Sequence, residues 1–252
     1  MTLRAVALLA LVSLAGEAHA DRATEATTIT IVSEDGLEMT ADLYMAHDKS
    51  KPMIVLFHQA GWSRGEYGEI ALKLAALGYN ALAVDARSGR RVNGVANETA
   101  ARAKKKKLGT KYLDALPDLR AALKVARKTY ATGKVIAWGS SYSAALVLYL
   151  AGTEPALADA TLAFAPGEYF AKAGKSRTWI RSAAASIEKP VFITSARSEQ
   201  KKWAAIYKAI PAKAKAKFVP KTRGKHGSKA LWSKSKDSEA YWKAVKKFLA
   251  SL

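Results

Sequence analysis

Residues 134 to 151, KVIAWGSSYSAALVLYLA, change character halfway along. A β-branched, apolar run stops at Gly139, passes through Ser140, Ser141, Tyr142 and Ser143, and resumes as an alanine-rich apolar pattern of helical spacing. A serine on a strand-to-helix turn, with small residues two before and two after it, has the form of a nucleophile elbow, G-x-S-x-G, here with serine in the last place. Ser141 is that serine. At a helix N-terminus it would sit where backbone N–H groups stabilise negative charge. The chemistry on offer is acyl transfer through a serine ester.

A serine hydroxyl is a poor nucleophile without a base, and the chain has four histidines: His19, His47, His58 and His226. His19 lies in an N-terminal leader, His47 follows an edge hairpin and is expected at the surface, and His58 directly ends a buried strand. His226, in KTRGKHGSKALW, alone follows the serine in chain order at the carboxyl end of a strand, as a Ser, acid, His order requires. The base needs an orienting carboxylate. Glu199, in ARSEQ after the strand PVFITSA, is the first choice, and Glu168, in AFAPGEYF one strand earlier, is the alternative. For the oxyanion, the Tyr142 N–H is one donor, and the loop after PMIVLF supplies the other, Ala60 or alternatively Gln59. His58 then braces this loop by hydrogen bonds, and Trp62 and Tyr67 are candidate walls of an acyl pocket.

The elements that must position these residues can be read from periodicity. TTITIVSE (27 to 34) and LEMTADLYMA (37 to 46) alternate apolar and polar residues around Asp35-Gly36, the pattern of an antiparallel hairpin. PMIVLFH (52 to 58) is continuously apolar, as a strand covered on both faces must be. Helical spacing over 67 to 79 and a buried strand over 80 to 87 complete a strand-helix-strand unit. Residues 88 to 111 lose periodicity and gather glycine, asparagine and charge, an excursion from the core that ends in a helix over 112 to 130 with a kink or restart at Pro117. Strands at 134 to 139, 160 to 166, 190 to 196 and 215 to 220 alternate with helices at 143 to 151, 201 to 210 and 239 to 252. The fold class is α/β, a mostly parallel central sheet flanked by helices with an antiparallel hairpin at its N-terminal edge. In such sheets chemistry collects beyond the carboxyl ends of the strands.

Composition narrows the context. Residues 1 to 20 combine Arg4, an apolar stretch from Ala5 to Leu14 and the small-x-small ending Ala18-His19-Ala20, the pattern of a secretory signal peptide cleaved near Ala20. The expectation is an exported protein, periplasmic or secreted, with one domain over residues 21 to 252. The chain has no cysteine, which removes disulfides, a thiolate nucleophile and Cys-based metal sites. Its 41 Lys and Arg against 21 Asp and Glu give a formal charge of +20. So basic a surface attracts anionic surfaces or lipid headgroups, while no nucleic-acid-binding signature accompanies it.

Together these residues resemble the α/β-hydrolase superfamily, and within it the dienelactone-hydrolase-like and esterase or lipase-like members. The resemblance runs over nearly the whole mature chain: FHQAGWSRGEY as the oxyanion loop, VDARSG after the next strand, GSSYS as the elbow, PVFITSARSE as the acid strand and loop, and GKHG as the histidine loop. It departs at Gln59 and Ser143, where glycine is usual, at Glu199, where aspartate is commoner, and in having serine where dienelactone-cleaving members use cysteine. The resemblance implies a serine hydrolase that cleaves carboxylic esters of small or medium acyl groups through an acyl-enzyme, needing no metal or organic cofactor; with no large insertion between the elbow's helix and the acid loop, no large cap domain is expected. The same triad would serve amides or thioesters, and the same fold without an activated serine would be a basic binding module.

Overall fold

A computed structural model describes residues 25–252; the leader read over residues 1 to 20 lies outside the described residues. One eight-stranded sheet runs through the protein in the order β1-β2-β4-β3-β7-β8-β9-β10. These strands are β1 (Thr27–Val32), β2 (Glu38–Tyr44), β3 (Met53–Phe57), β4 (Asn80–Val84), β7 (Val135–Ser140), β8 (Ala160–Phe164), β9 (Val191–Thr194) and β10 (Lys215–Phe218). The β1–β2 hairpin is antiparallel, β2 joins β4 antiparallel, and every pairing from β4 onward is parallel. The expected sheet and edge hairpin are therefore present.

Each residue of β3, β4, β7, β8 and β9 is buried, which is why their sequences are apolar without alternation. Alternate side chains feed two cores. Met53, Val55 and Phe57 of β3 join one cluster, and Ile54 and Leu56 join the other. The first is covered by α3 (Leu116–Val125), α4 (Tyr142–Thr153), α5 (Trp179–Ala184) and α6 (Gln200–Ala209), the second by α1 (Gly68–Ala76) and α7 (Ser238–Leu249). Trp138 stacks on Phe164, which meets Phe192 at a tilt, in series on the α7 side. Burying side chains of this size contributes about 1.5–3 kcal/mol each.

Two sequence expectations change. The excursion over 88 to 111 is structured: a two-stranded ribbon, β5 (Arg91–Val92) with β6 (Val95–Ala96), leads into α2 (Glu98–Lys105). Asn97 caps α2 by accepting the Ala100 N–H at 2.7 Å, and Thr99 Oγ1 accepts the Thr40 N–H of β2 at 3.0 Å. The helix expected over 112 to 130 begins as a 3₁₀ turn, Leu113–Ala115, turns α at Leu116 with Pro117 in its first turn, and ends in a π turn over Ala126–Tyr130. A proline in the first turn costs little, because the N–H it lacks would have had no intrahelical acceptor. Among the described residues no helix is long and apolar enough to cross a membrane.

Candidate active site

Ser141 stands between β7 and α4 with φ 62° and ψ −118°. A non-glycine residue there is strained, and such strain persists only where the surroundings enforce it. Two features do so. The Ser141 N–H donates to the carbonyl of Phe164 on β8 at 2.7 Å. A side chain at position 139 would collide with the α4 backbone, its Cβ only 2.4 Å from the Ser143 carbonyl oxygen, so Gly139 is what lets helix and strand meet. Ser143, in the usual place of a second glycine, is used rather than merely tolerated. Its Oγ accepts the Ser140 N–H at 2.9 Å and lies 2.7 and 3.0 Å from the carbonyls of Phe57 and His58, bolting the elbow to the end of β3.

His226 follows β10, and its Nδ1 lies 2.6 Å from Glu199 Oε1. Glu199 ends a 3₁₀ turn, Arg197–Glu199, just past β9. Burial pushes the Glu199 carboxyl up, but the hydrogen bond and the charge of His226, with Lys202 nearby, outweigh it, and the net shift is downward. A carboxylate held ionised against Nδ1–H leaves Nε2 as the basic nitrogen. The structure records no hydrogen bond from Ser141 Oγ to that nitrogen; catalytic hydrogen bonds of this kind often close only on substrate. The two loops are tied together nearby, one residue before Ser141 and two after His226: the Ser228 N–H donates to Ser140 Oγ at 2.9 Å.

The alternative acid, Glu168, is committed elsewhere. Its two oxygens accept the N–H groups of Ile180 and Arg181 at 2.9 and 2.8 Å, closing the open N-terminus of α5. The alternative oxyanion donor is also excluded, because the Gln59 N–H donates to Glu66 Oε2 at 2.8 Å. The Ala60 N–H is not engaged by the described residues, and Ala60 lines the cleft. Tyr142 N–H opens α4 and so has no intrahelical acceptor. Tyr67 does not wall a pocket. It is wholly buried beneath the oxyanion loop, donating to the Phe57 carbonyl at 2.7 Å, because its ring belongs to the core on the α7 side. Trp62 does reach the cleft, stacked on Trp232 at 5.3 Å.

The other two histidines of the described residues differ. His58 is buried and braces the loop as expected: Nδ1 donates to the Gln59 carbonyl at 2.8 Å, and Nε2 accepts the Ala86 N–H at 3.0 Å. Desolvation lowers its pKa, so the ring stays neutral. His47 is half-buried rather than exposed, 2.8 Å from the Ala75 carbonyl.

Two adjoining cavities of about 550 and 480 Å³ share Ser88, Thr110 and Tyr112. Together they run from Ala60 and Trp62 to Tyr169 and Phe170. Their charged lining residues, Arg90, Lys104, Lys111 and Lys172, are all cations. Sequence reading missed Tyr169, which lines the second cavity and whose hydroxyl donates to the Ala165 carbonyl at 2.7 Å. Its signal was its place just beyond the end of β8. It also missed Glu66, which is wholly buried. Among the described residues no cluster of His, Asp and Glu is arranged to hold a metal ion.

This arrangement bears comparison with known proteins. The model of the dienelactone hydrolase family matches residues 39–221. Comparison with curated proteins gives no match. Among solved structures, the esterase Pf2001 of Pyrococcus furiosus superposes with a TM-score of 0.71 at 19% identity, over 92% of this chain and 94% of that one. A dienelactone hydrolase of Anabaena variabilis gives 0.68 at 14%, over 90% and 97%. Est1E of Butyrivibrio proteoclasticus, with ferulic acid bound, gives 0.65 at 14%, over 88% and 98%. At these identities the structural likeness establishes the fold, and the family match adds the class of chemistry. The chain belongs to the dienelactone hydrolase family and has the α/β-hydrolase fold.

Proposed function

We propose that this protein is an exported serine hydrolase that cleaves carboxylic esters of small or medium acyl groups through an acyl-enzyme on Ser141. The observation that carries the reading is the strained Ser141 backbone at the β7–α4 junction, together with a histidine whose Nδ1 is held by a half-buried carboxylate. Strain of this kind aims a hydroxyl out of the sheet. In the reaction, His226 Nε2 takes the Ser141 proton as Oγ attacks the ester carbonyl, while Glu199 stabilises the imidazolium. The N–H groups of Tyr142 and Ala60 receive the oxyanion, and His226 then gives the proton to the leaving alcohol. Water enters by the same route to free the acid. The cationic lining of the cleft favours esters that carry negative charge or are presented at an anionic surface such as lipid headgroups. Export rests on the leader pattern of residues 1 to 20 alone.

The test is hydrolysis of a p-nitrophenyl acyl series by the mature chain beside Ser141→Ala. The expected result is turnover that falls by about 10⁴-fold or more in the variant. Comparable turnover by folded Ser141→Ala would refute the serine mechanism. A folded wild type that is inert to the series and to a serine-directed phosphonate would make the fold a binding module.

A further inference from the structure

Three loops carry the parts of the candidate machinery: residues 58 to 62 the oxyanion donor, residues 139 to 143 the nucleophile, and residues 224 to 228 the histidine. All three meet at one side chain that the mechanism above does not use. Glu66 Oε2 accepts the Gln59 N–H at 2.8 Å, and Glu66 Oε1 accepts the Ser140 hydroxyl at 2.8 Å. Ser140 Oγ in turn accepts the Ser228 N–H at 2.9 Å. The backbone of Glu66 is held as well, since Trp232 Nε1 donates to its carbonyl at 2.9 Å. Gly227 shows how closely the loops converge: a Cβ there would lie 2.5 Å from Ser140 Oγ and 2.9 Å from Gln59 Oε1.

Resting on the esterase reading, we propose that Glu66 is the positioning residue of this active site, its buried carboxylate registering the oxyanion loop, the elbow and the histidine loop against one another. An ionised carboxylate accepts hydrogen bonds and donates none. It therefore fixes the Ser140 proton toward itself and leaves the Ser140 lone pairs for the Ser228 N–H. Glutamine cannot do this, because its amide nitrogen would donate toward Ser140. By holding the Gln59 N–H inward, Glu66 also sets the peptide after which the Ala60 N–H faces the cleft. A protonated Glu66 donates through one oxygen, so the Ser140 hydroxyl must turn away; Gln59 Oε1, buried without a partner beside it, is the acceptor at hand.

The carboxylate is maintained at a cost. Desolvation pushes the Glu66 pKa up to about 7, against the downward pull of the Gln59 and Ser140 hydrogen bonds, Lys229 and Ser228. The other titratable groups bearing on it are Tyr67 beside it in sequence and Tyr142 on α4, and Lys229 is the cation that pulls it downward. A carboxyl whose folded pKa exceeds its unfolded value binds more protons folded than unfolded. Its contribution is thus fully present below the ordinary glutamate value of 4.5 and is lost as pH rises through about 7.

The deciding experiment compares mature wild type, Glu66→Gln, Ser140→Ala and Ser141→Ala from pH 5 to 9, reading p-nitrophenyl ester kinetics, phosphonate labelling of Ser141 and urea unfolding. We expect Glu66→Gln to fold and to lose about 100-fold in kcat with KM within about threefold, the effect of misplacing catalytic groups. It should also lack the wild-type decline of stability between pH 5 and 8. An active wild type beside a Glu66→Gln of equal kcat and unchanged pH profile of stability overturns the proposal alone. A wild type that neither turns over esters nor takes the phosphonate overturns the esterase reading and the proposal with it. Should Glu66→Gln not fold, Ser140→Ala keeps the carboxylate and cuts its link to the elbow. In that case slower Ser141 labelling in folded Ser140→Ala supports the proposal, and labelling at the wild-type rate overturns it.

Discussion

Glu168 and Glu199 follow adjacent parallel strands, β8 and β9, and both are committed through hydrogen bonds of similar length. What separates them is the donor. Both oxygens of Glu168 take neutral backbone N–H groups at the start of α5, where the chain itself needs an acceptor. Glu199 gives one oxygen to an imidazole, and its other oxygen, Oε2, is buried with no partner. The first carboxylate completes a helix, and the second orients a side chain that can exchange protons. Strand-end carboxylates are common in α/β sheets, so position alone does not assign one to a triad; the donor it meets does.

The comparison is broken or sharpened by three measurements. Glu199→Gln, assayed with the p-nitrophenyl substrate the wild type prefers, should lose about 10³–10⁴-fold in kcat, because an amide in place of the carboxylate favours the wrong imidazole tautomer. Near-full activity there would move the acid role away from β9. The second effect is smaller and concerns pH. Glu199 is held below the ordinary glutamate value of 4.5, so its contribution to stability is present above that value and lost as pH falls through its folded pKa. Urea titrations at pH 6 and pH 3 should show a wild-type advantage over Glu199→Gln that narrows at the acid end; a constant gap would mean that the pair is not ionised as described. The smallest effect belongs to Glu168→Ala. Loss of two N–H acceptors at α5 should cost about 1 kcal/mol of stability, typical of a removed cap, with ester turnover retained within about threefold of wild type. A loss of activity matching that of Glu199→Gln would erase the distinction between the two loops.

Much of this was legible in the sequence where the cause is local. Strands buried on both faces announce themselves as unbroken apolar runs, and the elbow at GSSYS follows from a strand ending, a glycine and a helix beginning. Other elements gave weaker signals. The six-residue α5 is too short for a clear period, and α2 is hidden because a helix ending in Lys104 and Lys105 has few apolar residues and is anchored by Asn97 and Thr99 instead. Tyr67 misled because an aromatic residue beside an oxyanion loop can face the cleft or the core, and the turn of Arg64–Glu66 sends it inward.

By itself, then, the sequence determined the alternation of elements, the elbow and the short set of residues from which a triad could be drawn, since these depend on neighbours a few positions apart. The tertiary structure alone decided which of those residues meet. Glu199 and His226 are 27 positions apart, Glu66 and Ser140 are 74, and Ser140 and Ser228 are 88. Such meetings arise only when parallel strands bring their carboxyl ends to one edge. A hydrogen bond depends on separation in space to a fraction of an ångström, and strand and helix periodicity carry no record of that distance.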